Sequence, residues 1–370
     1  MRLARTLVIA SLALPALAQA LPLGWQTRKL QLGDETVSIA NAINNLGRIV
    51  GTVQDSDGAR HAVIFEQNTV RAIGTLGGLQ SEANGLSPRG DIAGSAQIDN
   101  GYWHAYVRGL DGTLRDLGTL GGHNSTAMAV NNRGQSAGYA DTPDQQWHAY
   151  FHDGTRMRDI GTLGGHYSAA MGLNLAGQVV GLAETAEGRR HAFLYTPERG
   201  LQDLGTLGGR QSAAYGINEQ GVIVGVAETA DRELHAFVYK DGKMHDLGAA
   251  LDNGSSAALA INNLNQVLGI HRDGYRRAFV YDNPRDVRYL SGDNSLYQPR
   301  SINDQGDIVG GFLSLSKVRA VVLRALTVPP VHMQLGVAQW LALAMALLMG
   351  AWLLQRRLLD WWRPRRQWQD

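Results

Sequence analysis

Two apolar segments of unequal length bracket a long middle region where apolar and polar residues alternate in short bursts. Near the start, residues 7–17 are apolar except for Ser11 and Pro15. Arg2 and Arg5 precede them and Ala18-Gln19-Ala20 follows. A basic n-region, a short apolar core and a small-x-small site predict a secretory signal segment over 1–20, too short to span a bilayer. Near the end, residues 335–354 carry only Gln339 as a strongly polar member, and their length suits a hydrocarbon layer of about 30 Å. Arg356, Arg357, Arg363, Arg365 and Arg366 follow at once, while Trp340, Trp352, Trp361 and Trp362 stand where interfacial aromatics belong. The pattern predicts a transmembrane helix over 335–355, a basic cytoplasmic tail over 356–370 and the rest of the chain on the exported side.

The middle region shows no helical period. Its apolar runs are about five residues long, the usual length of a strand, and turn residues separate them. In one stretch the runs are 169–173, 178–182, 191–195 and 201–204, divided by 174–177, Gly188 and 197–200. The same order recurs. A His-Ala pair followed by an aromatic or aliphatic residue begins at His61, His104, His148, His191 and His235, with degenerate copies at Arg277 and Arg319, at intervals of 42 to 44 residues. Gly-Thr-Leu-Gly-Gly occurs at 74–78, 118–122, 161–165 and 205–209. In the same phase, Asn or Ser stands three residues before Gly or Asn: Asn44, Ser87, Asn131, Asn174, Asn218, Asn262 and Asn303. That spacing is the signature of a type I turn closed by a residue that tolerates a left-handed backbone.

Four strands, here a to d, in a unit of about 43 residues are the arithmetic of a propeller blade. Strands a, b and c occur seven times and strand d six times. Residues 29–33 precede the first strand a, where a d strand would stand. An N-terminal strand that completes the last blade would close the ring and remove its sheet edges. The expected fold is therefore an all-β, seven-bladed propeller over 21–325, joined by a linker over 326–334 to the span. That linker extends at most about 30 Å at roughly 3.4 Å per residue.

Across 38–324 these submotifs resemble the bacterial extracellular HAF repeats, whose His-Ala-Phe stands at 191–193 and 235–237, with Gly-Leu-Asn at 172–174 and Gly-Ile-Asn at 216–218. The resemblance implies an extracellular or periplasmic location and a repeat architecture, and no defined activity. Members often end in a sorting signal of Pro, a span and an Arg cluster. Here Val328-Pro329-Pro330-Val331 precedes the span without Pro-Glu-Pro, and Leu358-Leu359 and Trp361-Trp362 follow the first Arg pair, which favours retention as an anchor over processing.

Composition narrows the function. The chain has 370 residues, no Cys and a formal net charge of +1. Without Cys there is neither a disulfide framework nor a thiolate metal site. Setting aside the two Arg of the signal segment and the five Arg and two Asp of the tail leaves 27 basic against 31 acidic residues. An acidic exported part excludes a nucleic-acid footprint.

The repeated motifs offer little catalysis. Equivalent His in a ring lie one per blade and cannot converge on one ion, so each is expected to bond a neighbouring turn or backbone group. Gly-Thr-Leu-Gly-Gly lacks the Lys of a phosphate loop. Asp55-Ser56-Asp57-Gly58 opens like a Ca²⁺ loop, but its later ligand positions are wrong. No His-Glu-x-x-His or Gly-x-Ser-x-Gly occurs. No metal or cofactor is expected. Variable loops on a constant frame are where binding concentrates. The b–c and d–a connections share one face, and they place Trp103, Trp147, His123, His166 and Arg210 there. The expected function is a membrane-anchored binding or interaction platform for an envelope protein or carbohydrate. The alternative is an envelope-polymer hydrolase or lyase using the same face.

Overall fold

A computed structural model describes residues 22–30, 37–66, 69–252, 254–314 and 317–326. The signal segment, the linker beyond Leu326, the span and the tail lie outside the described residues. The described chain forms 28 strands in seven four-stranded antiparallel sheets, arranged as a seven-bladed propeller with two short 3-10 turns, Gly248–Leu251 and Gly292–Asn294. Blade 4 is representative. Its strands are a (Gly164–Leu173), b (Val179–Thr185), c (Arg190–Thr196) and d (Gly200–Asp203). Strand a is longer than expected, because the Gly-Gly pair begins it. Gly164 has φ +102°, and a Cβ on Gly165 would lie 2.5 Å from the Glu184 side chain. The first glycine supplies a backbone angle and the second supplies space.

The blade's interior follows from three linked choices. Strand a bulges, its register shifting between Ala170 and Gly172. The bulge presses a carbonyl onto strand b, where a Cβ on Gly181 would meet Ala169 O at 2.0 Å, so only glycine fits. Opposite Gly181 on strand c stands Phe193, fully buried, which covers the bare backbone. Gly94 with Tyr106, Gly225 with Phe237 and Gly269 with Phe279 repeat the pair.

Neighbouring blades pack through separate apolar clusters. One of them gathers Ala137, Ala149, Phe151, Ile160, Ala170, Val179 and Phe193. They are also stapled by serine. Ser168 Oγ accepts from Ala149 N–H of the preceding blade at 2.8 Å and donates to Gly161 O at 2.6 Å. Ser81, Ser125, Ser212, Ser256 and Ser38 accept from the equivalent alanines.

The ring closes through the N-terminal strand, but with different bounds from those expected. Blade 7 has strands a (Gln298–Ile302), b (Ile308–Ser314) and c (Lys317–Ala325), and its d strand is Trp25–Lys29 rather than 29–33. The register runs from Trp25 opposite Ala325 to Lys29 opposite Val321, and Leu30 N–H adds one bond to Ala320 O. Trp25 sets the placement. It is buried among Leu268, Leu290, Leu296, Ile308 and Leu323, and its indole N–H donates to Gly306 O at 2.8 Å.

Candidate functional site

The seven a strands line the propeller axis. On each, the residue at the bulge, three before the turn Asn or Ser, borders the axis. In blade order these are Asn41, Asn84, Met128, Met171, Tyr215, Leu259 and Arg300. All seven line one cavity of 570 Å³, which also reaches Gln54, Arg60 and Glu82 beside the b–c loops. It therefore opens on the face of the b–c and d–a connections. A second cavity of 190 Å³ occupies the other mouth, lined by Ile43, Leu86, Ile217, Ile261 and Ile302 together with the turn asparagines. The two share no lining residue. The axial space thus holds two cavities, the larger one a funnel open on the b–c and d–a face.

The funnel wall is two-sided. Blades 7, 1 and 2 contribute Arg300, Asn41 and Asn84, while blades 3 to 6 contribute Met128, Met171, Tyr215 and Leu259. Asn41 Nδ2 donates to Ala83 O at 2.8 Å, and Asn84 Nδ2 donates to Ala127 O at 3.1 Å, so each amide is fixed by the next blade. Arg60 and Glu82 form a close ion pair at the mouth on the polar side. Arg300 has no such partner: among the described residues its guanidinium makes no hydrogen bond or ion pair. Arg300 is exposed to the funnel, yet partial desolvation by the wall around it, and secondarily the charge of Arg276, lowers its pKa from the ordinary guanidinium value. Burial raises the Tyr215 phenol.

The five residues expected at the site lie outside the funnel lining. Trp103 comes nearest, half-buried with the Arg60 guanidinium 4.8 Å from its ring centroid. Its N–H donates to Asn124 Oδ1 at 3.1 Å, next to His123, whose ring meets Tyr102 at 4.5 Å. Trp103 and His123 thus flank one junction of blades. Trp147 is 58% exposed and leans on Tyr139 at 5.6 Å. His166 and Arg210 are exposed, and their backbone N–H groups donate to Glu184 and Glu228, each at 2.7 Å. No hydrogen bond, ion pair or ring contact joins Trp147, His166 and Arg210 to one another or to the Trp103 junction among the described residues. The residues that sequence reasoning missed are those of the bulge ring. Their signal is compositional: Asn, Asn, Met, Met, Tyr, Leu and Arg vary in size and charge beside positions held by Ala and Gly.

The recurring His have a local partner. His104, His148, His191 and His235 bond through Nδ1 to Asp116, Asp159, Asp203 and Asp246 on strand d, at 2.8–2.9 Å. Each of those carboxylates also accepts the N–H of the Gly that opens the next connection. Blade 1 has Ala72 in place of that Asp, and His61 turns instead to Asp55 at 2.9 Å.

No family model and no curated relative matches the sequence. Similar folds occur among solved structures. A puromycin hydrolase mutant complexed with PGG aligns with a TM-score of 0.55 at 13% identity, over 85% of this chain and 57% of that one. YCF48 bound to D1 peptide aligns with a TM-score of 0.50 at 12% identity, over 84% and 99%. TolB from Acinetobacter baumannii aligns with a TM-score of 0.43 at 14% identity, over 78% and 63%. The chain thus spans less than two thirds of the TolB and puromycin hydrolase chains. At these identities the likeness is one of fold. Fold and site together define a seven-bladed β-propeller with a two-sided axial funnel.

Proposed function

We propose that this protein is an exported, membrane-anchored binding platform of the HAF-repeat type, which holds an envelope protein or carbohydrate on the loop face of its propeller. One observation carries the reading: the funnel opens on the face that also bears the variable loops, with Trp103 under Arg60 near its mouth. A large apolar indole beside polar loops suits protein or sugar contact. The enzyme alternative has less support. Hydrolysis of a glycosidic bond ordinarily needs two carboxyl groups. Glu82 is the one carboxylate of the funnel lining, and Arg60 already neutralises it.

Two experiments test the parts of the proposal. To test the face, Trp103 and Trp147 are replaced together by Ala, and Arg133, an exposed residue of the a–b turn on the opposite face, is replaced by Ala separately. Envelope components are then captured with each full-length protein. The tryptophan variant is expected to lose partners that the Arg133 variant keeps, and the reverse would place the binding face on the other side. Glu219 is a poorer control, because its carboxylate holds Leu175 N–H of the preceding blade at 2.9 Å. To test export and anchoring, a periplasm-active and a cytoplasm-active reporter are fused in turn to the C-terminus. Only the cytoplasmic one is expected to work, and activity of the periplasmic one alone would reverse the orientation.

A further inference from the structure

The funnel wall carries more chemical information than a generic platform needs. Its cationic group is unpaired, its polar residues are contiguous, and its apolar residues are contiguous. Around the ring, Arg300, Asn41 and Asn84 occupy three successive blades across the closure, and Met128, Met171, Tyr215 and Leu259 occupy the other four. The Arg300 side chain is exposed to the funnel and makes no ion pair, so its fork is free to meet an anion that enters there. Elsewhere in the described chain some arginines bond carbonyls, as Arg48 does Gly90 O and Arg115 does Gly154 O, and others find carboxylates. Arg60 has Glu82, Arg324 has Asp307 and Arg158 has Asp153. Arg300 has only Arg276 as a nearby charge, and that one is repulsive.

We propose that the funnel binds an amphiphilic carboxylate bearing an amide, such as an acylated apolar amino acid or a short apolar peptide. This rests on the platform reading above and names the ligand chemistry of its axial site. The carboxylate pairs with the Arg300 guanidinium, whose planar fork matches two carboxylate oxygens. Because Asn41 and Asn84 spend Nδ2 on Ala83 and Ala127 carbonyls, each can offer Oδ1 as an acceptor for a ligand N–H. Met128, Met171 and Leu259 take the apolar body, thioethers being adaptable packing groups. A volume of 570 Å³ falls in the range of small-molecule sites, roughly 300–1,000 Å³.

The test uses full-length protein purified in detergent and titration calorimetry with four probes. They are N-acetyl-dileucine as the free acid, the same compound as its amide, octanoate, and a glucuronate disaccharide. The free acid is expected to bind at least tenfold more tightly than the amide, and more tightly than octanoate, which lacks the N–H groups. The glucuronate probe lacks the apolar body and is expected to bind weakly. Arg300→Gln is expected to erase the preference for acid over amide. Leu259→Glu, which puts a negative charge in the adjoining blade, is expected to abolish acid binding; melting temperatures near wild type for both variants exclude misfolding as the cause. Equal binding of acid and amide, no binding of the acid, acid preference retained in Arg300→Gln, or glucuronate binding tighter than the acid would each overturn the proposal. Capture of envelope partners through the Trp103 rim can survive any of these results, so failure of the funnel chemistry is distinguishable from failure of the platform reading.

Discussion

The three residues of the His-Ala-Phe triplet do three different things. His ties strand c to the strand-d carboxylate, Ala leaves room and gives its N–H to a serine of the next blade, and Phe covers a glycine of strand b. The turn asparagine does two. Asn174 Oδ1 accepts Gln178 N–H within its own turn at 3.1 Å, and its Nδ2 donates across to Asn218 O at 3.1 Å. The relay continues from Asn218 to Asn262, to Asn303 and across the closure to Asn44 O. Ser87 is the exception. Its hydroxyl accepts Gly90 and Asp91 N–H in its turn but does not reach blade 3, where Arg89 N–H bonds Asn132 Oδ1 instead. Asn174→Ala is therefore expected to destabilise the domain by about 2–3 kcal/mol in urea unfolding, since buried partners lose their bonds. Asn174→Ser should recover about half of that by restoring the turn bonds alone. Equal losses for the two variants would mean that the turn contributes nothing and the relay everything. A second residue sets a pH dependence. His152 is buried, and burial, with the nearby Arg115 charge second, lowers its pKa from 6.5, against a smaller opposing effect of Asp153. Its Nδ1 accepts Gly154 N–H, which requires the unprotonated atom. The unfolded chain thus binds more protons between the folded value and 6.5, and stability is full above that window and falls as pH drops through it. The melting temperature is expected to decline between about pH 7.5 and pH 5.5, and to decline less in His152→Asn. Parallel slopes for the two proteins would remove His152 as the cause.

At the level of the strand, repetition made most of the structure legible. The turn signature at 174–177, the glycine at 188 and the cluster at 197–200 mark the ends of strands that run Val179–Thr185, Arg190–Thr196 and Gly200–Asp203. Two things were not legible, and both have a physical cause. The first is which strand-a residues border the axis. Alternation holds along strand a, where Val37, Ile39 and Asn41, and Glu82 and Asn84, line the cavity at a spacing of two, but both faces of a blade pack on neighbours, so the pattern does not say which set meets the axis. Met171 lines the funnel on the same alternating set as Ala169. Trp103, Trp147, His123, His166 and Arg210, conspicuous by type, lie outside the funnel lining. The second is the closing strand. The count of strands placed the missing d strand at 29–33, directly before the first strand a, whereas the pairing strand is Trp25–Lys29. One tryptophan with a cavity and a carbonyl waiting for it sets the position, because its burial fills the junction of blades 6 and 7 and satisfies its only donor. The bulges of strand a explain why the glycines of strand b recur so strictly, since Gly51, Gly138 and Gly310 each face a strand-a carbonyl that a Cβ would strike.

For the molecule as a whole, closure is concentrated in one strand from the far end of the sequence. Six blades are each made from a contiguous stretch of chain, and only the seventh joins residues about 300 apart, through the register of Trp25 with Ala325 to Lys29 with Val321. Around it stand Trp25 Nε1 to Gly306 O, Thr27 Oγ1 to Asp293 O at 2.6 Å, and the serine staple from Ala320 N–H to Ser38 Oγ at 2.9 Å. Two of these three depend on the strand itself, and the staple depends only on blade 1 meeting blade 7. Trp25→Ala is expected to cost about 3–5 kcal/mol, the range for removing a large buried aromatic. Deleting 22–29 removes the same side chain together with every ladder bond to strand c, and leaves Lys317–Ala325 as an open edge. The deletion should therefore lower the melting temperature further than Trp25→Ala. It should also produce concentration-dependent association, because an exposed edge pairs with other chains. A synthetic peptide of residues 22–30 added to the deleted protein is expected to restore part of the lost stability and to suppress association. A deleted protein that melts like wild type and stays monomeric would show that the blade-to-blade apolar clusters and the asparagine relay hold the ring without its N-terminal strand.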